Sequence, residues 1–518
     1  MSLSTAQFLE RVGCRGSGAL ARLFGRLVAA TLVAASVVVA APTNAVALGG
    51  SDTTTPCASS PFVANPAKKT WYRGPAIVQN AQGDLLAFAE RRDNDHSDFG
   101  DFDIVMRKSV NGGRTWGSLK TIADDGKNRV SSPVPIFDPQ SGGVLLFTAI
   151  RYANNTYKGV FLQRSTDGGN SFTPLSSGNV RPQGSFKGGQ MGPGHGIVLT
   201  KGTHAGRIIF AMGHRKGDTY GAYGIYSDDG GETWKIGYDY TFPSGEEACI
   251  EGTIAELPSG VLFISYRDKL STTPGKTRLH AYSSDGGKSL SAGLAPLLGV
   301  KIHSVECSAL NPAGSHSGVL LFSAPAYTTS ANRTLRRDMG IFYSKDGGAT
   351  WGKPYWVGLQ SKPAAYSDLV QMNDGTVGIL YETGIKSWRE RIAFRRVSIS
   401  EITKPTKLAS SVKASPSRRT TRTRWRTSVR VTVAAKGRSS PTGWIRGTKS
   451  PTGKIVVKFV SAKRRGARTV SLKYTNHGSR RVTLPRLKKG TYKITVTYKG
   501  NPRIKPKTVS AGKLVVRR

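Results

Sequence analysis

A short turn motif recurs at a nearly constant interval, and this regularity constrains the fold more than any other feature of the sequence. The motif is Ser-x-Asp-x-Gly-x-Thr-Trp, and successive copies are 56, 62, 56 and 61 residues apart. The five copies begin at Ser109 (SVNGGRTW), Ser165 (STDGGNSF), Ser227 (SDDGGETW), Ser283 (SSDGGKSL) and Ser344 (SKDGGATW). Self-similarity at a fixed period is typical of repeat architectures. The Asp and Gly residues predict a tight turn with the aromatic packed beneath it, so the motif is structural and carries no chemistry.

Short apolar runs recur in phase with these turns. Each is rich in Val, Ile, Leu and Phe and lies next to Gly or Pro, which favours a buried strand over a helix. The six runs are Leu85 to Ala89, Val144 to Ala149, Ile208 to Gly213, Val261 to Tyr266, Val319 to Ala324 and Val377 to Tyr381. Four-stranded sheets around a central channel are the natural closure for such repeats. We therefore predict an all-β, six-bladed β-propeller over residues 50–402.

The end of the chain differs sharply in charge from the repeats. Residues 403–518 hold 33 of the 75 Lys and Arg residues and no Asp or Glu. A linker at 403–412 precedes alternating segments that predict a small β-sandwich at 413–518. The predicted strands are Ser428 to Val433, Lys454 to Phe459, Thr469 to Tyr474 and Thr491 to Tyr498. The segment GTYKITVTYKG at 490–500 resembles the closing strand of a bacterial immunoglobulin-like domain, which implies an accessory module.

A polycationic segment attracts polyanions over a long range. The first 47 residues have the pattern of a secretory signal, with four arginines, an apolar run at 27–41 and a small-x-small site at Ala45-Val46-Ala47. Export argues against nucleic acid as the partner, so we expect anionic cell-surface or wall polymers. A basic surface that serves only solubility is the alternative.

The same leader predicts a secreted, extracellular protein. An uncleaved membrane anchor is the less favoured interpretation, because so Ala-rich a run is a weak span. No later stretch is long and apolar enough to cross a bilayer, so we predict no membrane span in the mature chain.

The cysteines and histidines indicate neither a disulfide framework nor a metal site. The mature chain keeps three cysteines, Cys57, Cys249 and Cys307. Because three is an odd number, they cannot all form disulfides within the chain, although a Cys249–Cys307 disulfide is permitted. No Cys/His spacing is typical of zinc, and the eight histidines form no paired ligand motif. We therefore predict no metal and no cofactor.

Three arginines at the ends of predicted strands are the first candidates for a binding site. Arg73 lies in WYRGP before the first apolar run, and Arg267 ends the run VLFISYR. Arg336 lies eight residues before the fifth turn motif, with Arg337 as its nearest rival. A single arginine in so basic a chain is usually a solvated charge. Three on different blades predict a shared site at the mouth of the channel.

The surrounding segments of residues 50–402 resemble the bacterial and mammalian exo-sialidases with Asp-box repeats. WYRGPAIVQNAQGDLLAFAER is similar to the family's Tyr-Arg-Ile-Pro opening, with Gly74 where Ile is usual, a change that removes an apolar side chain beside the arginine. IEGTIAELPSGVLFISYR places Glu251 sixteen residues before Arg267. AAYSDLVQMNDGTVGILYETG contains Tyr366 and Glu382. The resemblance implies a glycosidase that removes terminal sialic acid from glycoproteins, glycolipids and oligosaccharides.

The resemblance also implies the substrate-binding residues. Arg73, Arg267 and Arg336 would clamp the carboxylate that sialic acid carries on its anomeric carbon, because guanidinium pairs with carboxylate bidentately. Arg92, nineteen residues after Arg73, matches a second binding arginine. Glu382 either holds the first arginine in place or is a buried structural partner.

The resemblance also implies three catalytic residues, namely a nucleophile, a base and an acid. Tyr366 is the nucleophile that the resemblance implies, and a neutral phenol suits this role because the substrate carboxylate repels an attacking anion. Glu251 would take the phenol proton, and Asp98 would protonate the departing oxygen. The competitors by sequence position are Asp95, Asp101 and Asp103 for the acid and Glu246 and Glu247 for the base.

Other functions are weighed against hydrolysis. A trans-sialidase would shield the intermediate from water, but the sequence shows no second aromatic platform that we identify. A non-catalytic lectin is disfavoured because Asp98, Glu251 and Tyr366 are all retained. An adhesin that acts through the basic C-terminal segment is the third alternative.

Overall fold

The computed structural model describes residues 59–518 with gaps at 94–95, 181–189, 217–218, 243–248, 269–276, 327–335, 358–361, 405–406, 408, 436–450, 474–475, 477 and 502–503. The predicted secretory leader and Cys57 lie outside the described residues. Within the described residues, no helix is long and apolar enough to cross a membrane.

Strands make up almost all of the regular structure up to residue 398. The first nine are β1 (Ser59–Val63), β2 (Thr70–Gln79), β3 (Leu85–Asp93), β4 (Phe102–Ser109), β5 (Lys120–Ala123), β6 (Arg129–Phe137), β7 (Val144–Arg151), β8 (Tyr157–Ser165) and β9 (Thr173–Asn179). The next nine are β10 (Gln190–Met191), β11 (Ile197–Val198), β12 (Ile208–Lys216), β13 (Thr219–Ser227), β14 (Lys235–Thr241), β15 (Cys249–Glu256), β16 (Leu262–Asp268), β17 (Arg278–Ser283) and β18 (Ala295–Pro296). The last seven are β19 (Ser308–Leu310), β20 (Leu320–Pro325), β21 (Met339–Ser344), β22 (Tyr355–Trp356), β23 (Ala364–Gln371), β24 (Thr376–Thr383) and β25 (Arg391–Ser398).

Helices are short. Three 3-10 helices lie at Pro66–Lys68, Gly202–His204 and Gly314–His316, and α1 spans Ile399–Thr403. α1 begins with a capping box, in which the Ser398 hydroxyl accepts from the Glu401 amide and the Glu401 side chain accepts from the Ser398 amide.

The strands form a series of largely antiparallel sheets. An eight-stranded sheet has the order β2-β3-β4-β6-β7-β8-β9, with β5 paired to β4. In each of the next three sheets, neighbouring strands are antiparallel. Their orders are β10-β12-β13-β14, with β11 also paired to β12, then β15-β16-β17-β18, then β19-β20-β21-β22. The last sheet of this region has the order β1-β25-β24-β23, so β1, the first described strand, completes the sheet made by β23, β24 and β25. This pairing joins the two ends of the repeat region.

The six apolar runs form strands as the sequence predicts, although Val261 and Val319 each precede the first residue of their strand. They fall in β3, β7, β12, β16, β20 and β24, each of which is hydrogen-bonded to a strand on both sides. Adjacent sheets pack face to face through these runs: the Phe147 ring on β7 lies 4.5 Å from the Phe210 ring on β12. Burial on both faces explains why the runs are continuous rather than alternating.

The recurring turn motif has the geometry that its residues predict. In the first copy the Gly112 and Gly113 backbones have positive φ, and the Asn111 side chain accepts from the amides of Arg114 and Thr115. Asn therefore replaces Asp without loss of these bonds. The Ser109 hydroxyl also accepts from the Gly113 amide at 2.9 Å, a bond that the other four copies repeat.

The aromatic residue of each of three motif copies packs against a strand of a neighbouring repeat, not against the strand that precedes its own turn. Trp116, which follows β4, lies edge-on to Phe394 of β25 at 5.5 Å. Trp234, which follows β13, contacts Phe147 of β7 at 4.9 Å, and Trp351, which follows β21, contacts Phe263 of β16 at 6.1 Å. The motif thus links consecutive repeats.

Residues 410–517 form two further sheets. Their strands are β26 (Ser410–Pro416), β27 (Thr420–Arg422), β28 (Ser428–Ala435), β29 (Gly453–Ser461), β30 (Arg464–Leu472), β31 (Ser479–Thr483), β32 (Gly490–Tyr498) and β33 (Lys507–Arg517). One sheet has the order β26-β28-β31 and the other β27-β33-β32-β29-β30. Buried side chains from both sheets, among them Val431, Val457 and Tyr498, share one core. Three of the four strands predicted in this segment are present within two residues of their predicted ends. The fourth, predicted at Thr469 to Tyr474, corresponds to β30 but begins earlier, at Arg464, and Tyr474 lies outside the described residues.

Cys307 is a free, buried cysteine. The disulfide to Cys249 that the sequence permits is therefore not formed. Burial raises the pKa of the Cys307 thiol to about 12.

Candidate functional site

Four strands from different sheets are connected by direct hydrogen bonds. The Ile77 amide of β2 donates to Asp368 of β23, and the Leu369 amide of β23 donates to Ser308 of β19. The Ala309 amide of β19 donates to the Thr253 hydroxyl of β15. These bonds bring β2, β15, β19 and β23 to a common centre, and the predicted site residues lie near one end of it.

Tyr366, near the start of β23, lies at the centre of the site. Its phenol donates to Glu251 Oε1, which comes from the start of β15. Arg267, at the end of β16, donates from Nη1 to Glu251 Oε2 at 2.8 Å and to the Tyr366 oxygen at 3.1 Å. The predicted nucleophile and the predicted base are therefore in direct contact, with one guanidinium bridging them.

The other two arginines of the predicted clamp lie against the same phenol. The Arg73 guanidinium carbon is 5.1 Å from the centre of the Tyr366 ring, and that of Arg336 is 5.7 Å from it. Arg337, the rival of Arg336, forms an isolated bridge with Pro363 through its backbone. Arg73, Arg267 and Arg336 thus converge although 194 and 69 residues separate them along the chain.

Glu382 holds Arg73 in place. Its Oε1 accepts from Arg73 Nε at 2.6 Å and from the Gly74 amide at 3.2 Å, and its Oε2 accepts from the Tyr366 amide at 3.2 Å. Gly74 has a φ of +61° at a register shift between β2 and β3, and a Cβ there would lie 3.2 Å from the Glu90 carboxyl. Glycine at this position therefore allows the close approach of the Glu90 side chain.

Arg92 and Asp98 form a second group at the edge of the site. Arg92 Nη1 contacts Asp98 Oδ1 at 2.7 Å, and Arg73 Nη1 lies 3.6 Å from the same oxygen. Arg92 is fixed from behind by Glu90, at 2.5 Å from Nη2. The Asp98 side chain is 76% exposed, so it is accessible from solvent.

The competitors for the acid and the base are separated from this group or lie outside the described residues. Asp103 forms its ion pair with Arg91, and the charges that act on Asp101 are those of Asp124, Asp93 and Arg91 rather than those of the arginine clamp. Asp95, Glu246 and Glu247 are outside the described residues.

Charges at the site shift the ionisation of its three reactive groups. Burial and the Glu251 carboxylate raise the pKa of the Tyr366 phenol, against the lowering effect of the arginines. Burial alone would raise the pKa of Glu251, but Arg267 and the Tyr366 hydrogen bond lower it overall. The same balance applies to Asp98, where Arg92 and Arg73 outweigh burial and lower the pKa. Near neutral pH the site therefore holds a neutral phenol beside an ionised glutamate.

Two residues of the site were missed by sequence reasoning. Trp388 lies over the clamp, with its ring 4.3 Å from the Arg73 guanidinium and 5.2 Å from that of Arg336. It is the aromatic surface that the sequence did not reveal, because nothing in KSWRE distinguishes it from a loop residue. Glu90 could have been found from the sequence. It lies two residues before Arg92 on a predicted strand, and residues two apart on a strand point to the same face.

No group of three or more His, Cys, Asp or Glu residues within the described part of the chain is arranged to hold a metal ion.

These sheets meet at one polar centre lined by three arginines, and the structure, in which strands dominate, is consistent with a β-propeller. The sequence profile described as a BNR repeat-like domain matches residues 83–379, which is more than half of the chain. The chain belongs to this family of sialidases with BNR repeats.

Individual relatives are distant. A sialidase of Micromonospora viridifaciens is 29% identical over 340 residues, which are 60% of this chain and 50% of that protein. The chain thus spans about half the length of this relative. The solved Hadza microbial sialidase Hz136 is 24% identical with a TM-score of 0.54, covering 66% of this chain and 68% of that one. An intramolecular trans-sialidase from Ruminococcus gnavus is 19% identical with a TM-score of 0.52, covering 66% and 98%.

Proposed function

We propose that the protein is an exo-α-sialidase that hydrolyses terminal sialic acid from glycoconjugates. One observation carries this proposal: the Tyr366 phenol donates to Glu251 while the guanidinium groups of Arg73, Arg267 and Arg336 surround it. Three cations at one point favour an anionic ligand, and a carboxylate fits the planar guanidinium bidentately. The relatives named sialidase support the same substrate class.

The reaction runs through two displacements at the anomeric carbon. Glu251 takes the proton of Tyr366 as the phenol oxygen attacks, and Asp98 protonates the departing glycosidic oxygen as its bond breaks. A covalent tyrosyl-sialyl intermediate results. Asp98, now ionised, takes a proton from water, whose oxygen displaces the tyrosine, and Glu251 returns the proton to the phenolate. Two inversions give overall retention.

The ionisation states support this division of roles. A buried phenol with a raised pKa is a weak nucleophile by itself, so it needs the ionised Glu251 beside it as a base. The unbound site keeps Asp98 ionised through Arg92 and Arg73. A bound carboxylate would compete with Asp98 for Arg73, which would raise the pKa of Asp98 and favour its acid form.

The finer architecture is part of the proposal. We divide the eight-stranded sheet into two blades at the single bridge between β4 and β6, Phe102 to Arg129, which together with the other four sheets makes six blades over 50–402. The two-sheet segment is an immunoglobulin-like accessory module, and because β26 begins at Ser410 the linker predicted at 403–412 ends before that residue. The leader at 1–47 directs the protein out of the cell, where its basic module meets polyanionic surfaces.

Intramolecular transfer is the second candidate function. Trp388 covers part of the arginine clamp, and an aromatic surface there would limit the access of water to the intermediate. A substrate hydroxyl would then displace Tyr366 instead of water. A solved neighbour titled a trans-sialidase is in keeping with this alternative.

Turnover of a fluorogenic sialoside tests the proposed function, with chromatography of the released sugar. We expect free sialic acid from the full chain and a loss of at least about a thousandfold in Tyr366→Phe, which lacks the nucleophile. Tyr282→Phe is the matched control, because the Tyr282 phenol bonds the Gly347 carbonyl away from the site. Equal turnover in both variants would exclude the mechanism. An anhydro sugar or a sialyl-lactose product, with lactose present, would favour transfer.

A further inference from the structure

Tyr366 lies in a β-bulge of β23. The pairing of β23 with β24 shifts between Ala364 and Ser367, so that two residues of β23 lie opposite one residue of β24, Glu382. A bulge interrupts the ladder and leaves backbone groups without their usual partners on the neighbouring strand. The backbone that carries the proposed nucleophile therefore needs side chains to complete its hydrogen bonds.

Two glutamates supply bonds to this backbone. Glu382 Oε2 accepts from the Tyr366 amide at 3.2 Å. Glu306, which precedes β19 of a different sheet, accepts from the Ser367 amide at 3.0 Å through Oε2. The amides on both sides of the Tyr366 Cα are thereby anchored to side chains from two separate sheets.

Glu306 belongs to a short segment whose alternate residues support the site. The Glu306 side chain is buried, as the residue is only 1% exposed. Two residues before it, the Ser304 hydroxyl accepts from Arg267 Nε at 3.1 Å. Two residues after it, the Ser308 hydroxyl accepts from the Leu369 amide of β23 at 3.1 Å. The segment therefore supports one arginine of the clamp and the strand of the nucleophile together.

Glu306 is uncharged near neutral pH. Burial raises the pKa of Glu306 well above its usual range, and the negative charges of Asp368 and Glu251 raise it further, against the lowering effect of the Ser367 amide. A protonated carboxyl group still accepts a hydrogen bond. Glu306 can therefore anchor the amide without adding a negative charge near Glu251, the proposed base.

The direction of the Tyr366 side chain depends on the backbone that these bonds fix. The phenol has to meet Glu251 and the anomeric carbon of a substrate, and a misplacement of about 1 Å can cost on the order of a hundredfold in rate. Glu382 also pairs with Arg73, so its replacement would disturb the clamp as well. Glu306 separates the two effects, since its hydrogen bond goes to the backbone of β23.

We propose that Glu306 is a positioning residue for the nucleophile, which fixes the bulge of β23 through the Ser367 amide and so aims the Tyr366 phenol at Glu251. The inference rests on the proposed function, in which Tyr366 is the nucleophile, but the placement of the phenol is measurable without turnover. Carbon-13 NMR of tyrosine Cζ in the full chain, assigned by the signal lost in Tyr366→Phe, reports the hydrogen bonding of this phenol. Steady-state kinetics with a fluorogenic sialoside report kcat and KM.

Three variants separate the hydrogen bond from the volume and charge of the side chain. Glu306→Gln keeps an uncharged side chain of equal length that accepts from the amide. Glu306→Leu has a similar volume and no acceptor, whereas Glu306→Asp withdraws the carboxyl group by one methylene and decides the question if the leucine variant does not fold. Ser308→Ala is the matched control on the same segment, because the Leu369 amide keeps Asp368 as an acceptor.

We expect kcat to fall by about thirtyfold in Glu306→Leu and Glu306→Asp, with KM changed by less than about threefold and the Tyr366 Cζ signal shifted. Glu306→Gln and Ser308→Ala should keep nearly normal kcat and an unshifted signal. Equal losses of kcat in Glu306→Gln and Glu306→Leu would overturn the proposal, as would an unmoved Cζ signal in the folded variants that lack the bond. If the unchanged chain releases no sialic acid, the proposed hydrolysis fails, whereas the Cζ signal still decides whether Glu306 places the phenol.

Discussion

Arg336 differs from its two partners in the clamp by lacking a carboxylate. Arg73 is paired with Glu382 and Arg267 with Glu251, whereas Arg336 forms no ion pair with any described residue. Burial and the neighbouring arginines lower the pKa of Arg336, as expected for a cation that is short of negative charge. A substrate carboxylate would supply that charge, so Arg336 should gain more from binding than the other two.

Replacing this side chain should therefore weaken substrate binding. We expect Arg336→Ala to weaken sialoside binding by about a hundredfold, since a charge-assisted hydrogen bond to a buried carboxylate is worth roughly 2–3 kcal/mol. Arg337→Ala is the matched control and should bind nearly normally. Calorimetric titration with a non-hydrolysed sialoside measures both. Equal losses in the two variants would show that net charge, and not the clamp, determines affinity.

The pairing of Arg92 with Asp98 predicts a shift in pH dependence. Arg92 and Arg73 lower the pKa of Asp98, so the acid form that donates the proton is lost as pH rises from an already acidic range. Arg92→Gln removes one of these cations and should raise the pKa of Asp98. The alkaline limb of the kcat/KM profile should consequently move to higher pH.

Arg91→Gln serves as the control for this shift. Arg91 neighbours Arg92 on β3 but pairs with Asp93 and Asp103, so its loss should leave the alkaline limb in place. An unmoved limb in Arg92→Gln, or a move to lower pH, would contradict the role of Asp98 as acid.

At the scale of elements, the turn motif links successive repeats through glycine as well as through its aromatic. Gly113 has a φ of +82°, and a Cβ there would overlap the Phe394 ring of β25. Phe394 in turn packs on Trp116 of the same motif. The glycine thus allows a turn after β4 to fit against the sheet that also contains β1.

Adding one methyl group at Gly113 tests this packing through the free energy of unfolding. We expect Gly113→Ala to lower the free energy of unfolding by about 3 kcal/mol, from backbone strain plus overpacking. Gly126→Ala isolates the strain, because Gly126 has a φ of +65° with nothing within 4 Å of the added Cβ, and should cost about 1 kcal/mol. Chemical denaturation compares the two. Equal costs would show that the contact with Phe394 does not matter.

At the scale of the whole molecule, charge is divided between segments. The segment after residue 402 contains 33 Lys and Arg residues and no Asp or Glu. Within it, the strand β30 is at the edge of its sheet and exposes Arg464, Arg465 and Arg468. Such an edge offers a row of positive charge to a polyanion, with attraction that salt screens over about 10 Å.

Neutralising this edge should weaken retention on a polyanion. We expect the triple variant Arg464→Gln, Arg465→Gln, Arg468→Gln to elute from immobilised heparin at clearly lower salt than the unchanged chain, with unaltered sialoside turnover. The matched control removes three exposed charges from the repeat region, at Lys68, Lys69 and Arg114. Identical elution of both triple variants would mean that total charge, rather than the basic module, determines binding.

Local patterns determined much of this protein in advance. Apolar runs and turn residues act over a few positions, so they predict strands and turns without knowledge of distant contacts, and Asn111 still functions in place of Asp. The segregation of charge after residue 402 is visible directly in the sequence. The spacing between Glu251 and Arg267 is also a local property, since both lie on one antiparallel pair of strands.

Only the tertiary structure decided which of these side chains meet. Arg73 and Glu382 are in contact across 309 residues because β1 and β23 to β25 complete one sheet. Trp388, in a loop without any pattern, acquires its place from the arginines beneath it. Propensity is a property of neighbouring residues, whereas these contacts depend on how separate sheets pack around one centre.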